Sequence, residues 1–157
     1  MNCKLIGNID ISAIKKEVLN NWSESFVSQS RKNIFCQAEA DAIFLRVTST
    51  INRIEVNPDF YHLHGHSVIN SKWCSYFYKS LQFMNLFSTS NKGILSRALL
   101  AKLVMGATVY PHIDIGAYYV CRDRYHLVIQ SSGSLMTING IEYEWKEGEL
   151  WKFNNKA

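Results

Sequence analysis

The sequence predicts a mainly β fold with helices packed outside it, on two observations. After Arg97, short runs of strand-forming residues alternate with tight-turn residues, the pattern of a sandwich, jelly roll or barrel. Before it, two stretches carry apolar side chains at helical spacing. With 157 residues and 47% hydrophobic content, the chain suits one domain, 1–157, with a real core. Residues 1–96 read as a helical and strand support region, and 97–157 as the β core.

Asp10 is placed to cap a helix whose apolar face uses Ile11, Ile14, Val18, Leu19 and Trp22. Asp41 to Thr48 alternates weakly, as a strand does. A second helix, from about Ser71 to Phe87, carries Trp73, Phe77, Leu81 and Met84, with Tyr78 or Phe87 beside them. Aromatics at that spacing form core far more often than a ligand box. Tyr119 to Ser131 is the next long strand. A meander follows: a turn at Ser131-Ser132-Gly133, a strand over Leu135 to Ile138, the type I′ hairpin signal Asn139-Gly140, a return over Ile141 to Trp145, a turn at Lys146-Glu147-Gly148, and a strand over Glu149 to Phe153.

Two pairs of residues carry chemistry. His112 and Asp114, if on a strand, share a face and reach one ion. An imidazole and a carboxylate with positions left open suit non-heme Fe(II) better than magnesium or calcium, which want more oxygens. The alternative is a strand-end histidine beside a turn aspartate. Pro111, Gly106 and Gly116 set the pair at a rim, where small barrels form ligand sites. On the next strand Arg122, Arg124, His126, Val128 and Gln130 share one face, and Cys121, Tyr125, Leu127 and Ile129 the other. That polar face either meets solvent or points inward, and inward it requires an anionic or polar occupant, such as a dicarboxylate gripped by arginine. A third constellation, His62, His64 and His66, has zinc-like spacing on a strand, but Gly65 and Pro58 favour a solvated loop.

The net charge of +4 helps attract an anion, yet no dense basic run or basic-aromatic patch appears, which argues against nucleic acid as a partner. Cys3, Cys36, Cys74 and Cys121 are scattered and read as reduced thiols of a cytoplasmic protein. No apolar export segment or membrane-length run occurs, so no membrane partner is expected.

The run PHIDIGAYYVCRDRYHLVIQSSG, followed by EWKEGELWKFNN, resembles the aspartyl/asparaginyl β-hydroxylase family of Fe(II)- and 2-oxoglutarate-dependent dioxygenases, over about the C-terminal third from Arg97. The resemblance implies a double-stranded β-helix (jelly-roll, cupin-like) core. It implies that His112 and Asp114 are the first two iron ligands and that Arg124 and His126 line the 2-oxoglutarate side. It also implies that Trp145, Gly148, Glu149 and Trp151 form the strand-turn-strand ahead of a distal histidine. The substrate class it implies is an amino acid, a peptidyl Asp or Asn, or a related small molecule. Members of the family continue with that histidine and an Arg-x-His-Leu strand, whereas here no histidine follows His126 and no arginine follows Arg124. The expectation is therefore a core incomplete at its C-terminus, inactive or impaired in turnover, with Glu149 to Phe153 near an exposed edge that leaves the C-terminus either disordered or paired with another chain. The alternative is a non-catalytic jelly-roll binding module or a gene fragment.

Overall fold

The computed structural model describes residues 3–48, 67–69, 72–114, 119 and 122–154. The His62/His64/His66 cluster, Gly116 and Cys121 lie outside the described residues. The chain forms two compact units, Met1–Lys16 with Asp114–Ala157, and Glu17–Ile113.

In the first unit, strand β1 (Cys3–Asn8) pairs antiparallel with β8 (Glu149–Phe153), which pairs on its other side with β5 (Arg124–Leu127). The edge expected at Glu149 to Phe153 is thus occupied: β8 is the middle strand, and β1 takes the backbone groups that were expected to be uncovered. The register sets Arg124 opposite Phe153 and His126 opposite Trp151, so these four side chains share one face of the pleat. That face is covered by a hairpin, β6 (Ser134–Ile138) and β7 (Ile141–Trp145). Tyr143 meets Trp151 edge-on at 5.8 Å, and Trp145 meets Phe153 at 5.9 Å. Asn139 and Gly140 have φ of 48° and 78°, the left-handed pair that a type I′ turn requires. Gly148, at φ 84°, donates its N–H to the Val128 carbonyl at 2.8 Å and accepts from the Ile9 amide at 2.8 Å. A Cβ there would stand 3.0 Å from the Ile9 carbonyl oxygen, so the turn into β8 needs glycine.

Helix α1 (Ser12–Asn21) begins where expected. The Asp10 carboxylate accepts from the Ser12 hydroxyl and, at 3.0 Å, from the Ser12 amide, and the hydroxyl bond first and the amide bond second hold its pKa below the usual carboxylate value. Ile11, Ile14 and Val18 are buried as the periodicity predicts, but Leu19 is 54% exposed and is no core residue.

In the second unit, β2 (Ala40–Thr48) lies between β3 (Ser67–Ile69) and β4 (Ala98–Leu103). A register shift between Phe44 and Arg46 interrupts the alternation of β2, and Ala42, Ile43 and Leu45 are all fully buried. A four-residue helix, α2 (Gln29–Lys32), precedes β2, and its Lys32 forms an ion pair with Asp41. The long helix α3 spans Tyr78–Ser90, starting later than the sequence suggests. Residues 72–77 are turns, in which Trp73 stacks on Phe26 at 4.3 Å and Phe77 is completely buried. Leu81 is buried on the same helical face, whereas Tyr78 is exposed. The start of α3 is fixed by Glu17, whose carboxylate accepts from the Lys79 amide at 2.7 Å, the Ser80 amide at 2.9 Å and the Ser80 hydroxyl at 2.8 Å. These are the amides that a helix N-terminus leaves unbonded.

Among the described residues, no helix is long and apolar enough to cross a membrane.

Candidate functional site

His112 and Asp114 do not lie on a strand. Residues 104–114 form a turn and irregular chain, so His112 and Asp114 have no strand pleat to put them on one face. The physical reason is where the amides go. Pro111 has no N–H, the Thr108 amide donates to Glu39 Oε2 at 2.7 Å, and the Tyr110 amide donates to the Cys36 carbonyl at 2.9 Å. Tyr110 adds a hydroxyl bond to Glu39 Oε1 at 2.8 Å, and its ring stacks on Phe35 at 5.2 Å. These bonds hold the Glu39 carboxyl below its usual range, the Thr108 amide contributing most, and push the Tyr110 phenol upward. A side chain and a carbonyl of the 3-10 turn Phe35–Gln37 thus do what a neighbouring strand was expected to do.

His112 closes this segment. Its Nδ1 lies 2.7 Å from the Tyr110 carbonyl oxygen. A carbonyl only accepts, so Nδ1 carries the proton and Nε2 the lone pair. An imidazole that donates one ring N–H to a backbone carbonyl is oriented as metal-ligating histidines are. The division between the units falls between Ile113 and Asp114, so His112 belongs to the second unit and Asp114 to the first.

The strand expected over Tyr119 to Ser131 is shorter, Arg124–Leu127, with Tyr119 helical and Arg122 turned back on the Tyr119 carbonyl at 3.4 Å. Its polar face is the one that turns inward, towards the β6–β7 hairpin. His126 lies 4.4 Å from Phe153 and 5.3 Å from Trp145, ring centre to ring centre, and the Arg124 guanidinium lies 5.8 Å from the Phe153 ring. Arg124 Nε donates to His126 Nε2 at 3.1 Å, which leaves the His126 proton on Nδ1. Arg124 Nη1 forms an ion pair with Asp114 Oδ2. The anionic occupant that an inward Arg124 requires is, in this structure, the Asp114 carboxylate.

Asp114, Arg124 and His126 are therefore brought together, framed by Trp145 and Phe153. Sequence reasoning set Asp114 and Arg124 to different tasks and missed that they pair. It also missed Glu39 and Tyr110, which orient His112 and which no local motif marks. The inward aromatic face was visible in part, as the alternation of Tyr143 with Trp145 and of Trp151 with Phe153. Chemically, the group offers an imidazole N–H, a carboxylate, and a guanidinium shaped to grip a carboxylate. Among the described residues, no three His, Cys, Asp or Glu side chains gather as a metal cluster.

No curated protein and no solved structure matches the chain. The family model described as aspartyl/asparaginyl beta-hydroxylase matches residues 12–157, reaching back through both units rather than only the C-terminal third. On that match, the chain belongs to the aspartyl/asparaginyl β-hydroxylase family.

Proposed function

We propose that this chain carries the site of an Fe(II)- and 2-oxoglutarate-dependent hydroxylase acting on an amino acid, a peptidyl Asp or Asn, or a related small substrate. In this reading His112 and Asp114 hold the iron, and Arg124 and His126 receive 2-oxoglutarate. The two β layers of the first unit belong to a jelly-roll core, and the protein works in the cytoplasm without nucleic acid or membrane partners.

The observation that carries the reading is Arg124, which faces inward beside His126 and already grips a carboxylate. Either end of 2-oxoglutarate presents that group. The donor chemistry fits as well. Nε2 of His112 has the lone pair a metal needs, and a histidine with a carboxylate is part of the ligand set that non-heme Fe(II) takes. When bound, iron and 2-oxoglutarate supply oxygen activation and hydroxylation, with succinate and CO2 as co-products. The chain's own share is orientation. Arg124 fixes a carboxylate by charge and shape, while Trp145, Phe153 and Trp151 form the aromatic frame beside it. The Tyr110 carbonyl fixes the tautomer of His112, and the Arg124 N–H fixes that of His126.

The test is anaerobic Mn(II) titration followed by 2-oxoglutarate calorimetry. His112→Ala and Asp114→Ala should each weaken metal binding about tenfold or more, and Arg124→Ala should weaken 2-oxoglutarate. The triple His62/His64/His66→Ala variant should bind metal as the parent does. Loss of metal in the triple variant alone, with both single variants unaffected, would overturn the reading.

A further inference from the structure

Three indoles in this molecule allow a comparison. Trp22 donates its Nε1–H to a Glu24 carboxylate oxygen at 3.1 Å, and Trp151 donates to Glu149 Oε2 at 3.0 Å. Trp145 Nε1 is buried and has no hydrogen-bond acceptor among the described residues. Buried donors are almost always satisfied, because leaving one unmade forfeits its bond to water without return. An orphan of this kind calls for an explanation at its own location.

That location is the candidate site. Trp145 is the last residue of β7, and its ring meets His126 edge-on at 5.3 Å and Phe153 at 5.9 Å. Arg124, whose Nε donates to His126 Nε2 beside that aromatic frame, is a donor. Arg124 also engages the Asp114 carboxylate. A ligand that Arg124 can grip brings an anionic oxygen of the kind an indole N–H donates to.

We infer that the Trp145 indole N–H is a hydrogen-bond donor to a carboxylate of the cosubstrate that Arg124 binds, making Trp145 a further cosubstrate-binding residue. This rests on the 2-oxoglutarate reading above and adds to it a residue and a bond. A ligand carboxylate accepts from Arg124 and from Trp145 at once, so the indole gains in the complex the partner that Trp22 and Trp151 find within the chain. Trp145→Phe removes the N–H and keeps most of the ring, which separates this role from packing.

The experiment uses the full chain with Mn(II), without oxygen, and 2-oxoglutarate as the probe. Calorimetry compares the parent, Trp145→Phe and Arg124→Ala, and the indole N–H signals of ¹⁵N-labelled protein are followed in parallel with diamagnetic Zn(II) in place of Mn(II), the signal missing in Trp145→Phe being that of Trp145. Trp145→Phe should bind 2-oxoglutarate about tenfold or more weakly. In the parent, the Trp145 signal should move downfield as 2-oxoglutarate is added. If Arg124→Ala weakens binding and Trp145→Phe does not, or if the Trp145 signal stays in place, the inference is overturned while the hydroxylase reading stands. If the parent binds no 2-oxoglutarate, the hydroxylase reading falls and takes this inference with it.

Discussion

The middle strands of the two three-stranded sheets bury very different residues. In β2, Ala42, Ile43 and Leu45 have no exposed surface, and Phe77 is equally buried. In β8 only Leu150 is buried to a similar degree, and Trp151 and Phe153 turn towards Arg124 and His126. The first arrangement gains stability from apolar surface removed from water. The second gives up part of that gain to keep a guanidinium, an imidazole and a carboxylate on an inward face, where each must find a partner. The polar sheet is thus the one whose packing a ligand can complete.

The contrast is most exposed to failure at its apolar end. Phe77→Ala removes a fully buried ring that meets Phe26 edge-on, and should cost about 3–5 kcal/mol in urea unfolding. Phe153→Ala, at a half-buried ring, should cost distinctly less. Equal costs would mean that the β8 sheet depends on its aromatic face as fully as the β2 sheet depends on its core.

A smaller effect is expected at Glu17, where one carboxylate serves two amides and a hydroxyl at the head of α3. Glu17→Ala leaves those donors without their acceptor and should cost roughly 1–3 kcal/mol. The loss should appear in the fluorescence of Trp73, whose turn leads into that helix. A change below a few tenths of a kcal/mol would show that water replaces the carboxylate and that only apolar packing supports this unit.

The two regions also differ in how far the sequence foretold them. The hairpin was legible because its information is local: Asn139-Gly140 demands two positive φ angles, and Ile141–Trp145 and Glu149–Phe153 begin and end at their turns. The pairing of β1 with β8 was not legible. It joins residues at the two ends of the chain, and no local pattern specifies a partner so distant. Helix α3 was placed too early because Trp73 and Phe77 continue the helical spacing backward into turns, and spacing alone does not reveal where a carboxylate such as Glu17 sets the first turn. At the site, His112, Asp114, Arg124 and His126 were identifiable as residue types in a pattern. Their mutual arrangement was not, since the Asp114–Arg124 pair and the Glu39–Tyr110 support of His112 are tertiary contacts.

The polar sheet yields a prediction of its own. Arg124 holds the carboxylate that is proposed to bind iron, so a cation competes there with the metal. Without 2-oxoglutarate, Arg124→Ala should therefore raise Mn(II) affinity, while lowering affinity for 2-oxoglutarate. With the arginine side chain 38% exposed, solvent screens the pair, and the gain should be roughly two- to fivefold. Weaker Mn(II) binding in Arg124→Ala would indicate that the arginine orients Asp114 for the metal rather than competing for it.

The smallest expected effect refines the comparison from inside the apolar unit, because the segment leading to His112 belongs to that unit yet is held by polar groups. Glu39 has its pKa lowered in the folded chain by the Thr108 amide and then by the Tyr110 hydroxyl. What it contributes is present above the usual carboxylate value of 4.5 and is lost as pH falls through the lower folded value. Tyr110 has its pKa raised by the same carboxylate, so its contribution is present below the usual phenol value of 10.0 and is lost as pH rises through the higher folded value. The clamp should thus hold across the neutral range and open at both ends. The Thr108 amide signal should titrate in acid with a midpoint below 4.5, and the phenol absorbance of Tyr110 should titrate above 10.0. Glu39→Gln should abolish the acid transition at Thr108 and bring the Tyr110 midpoint back down. If the Thr108 signal keeps its acid transition in Glu39→Gln, another carboxyl holds the segment, and the orientation of His112 has a different origin.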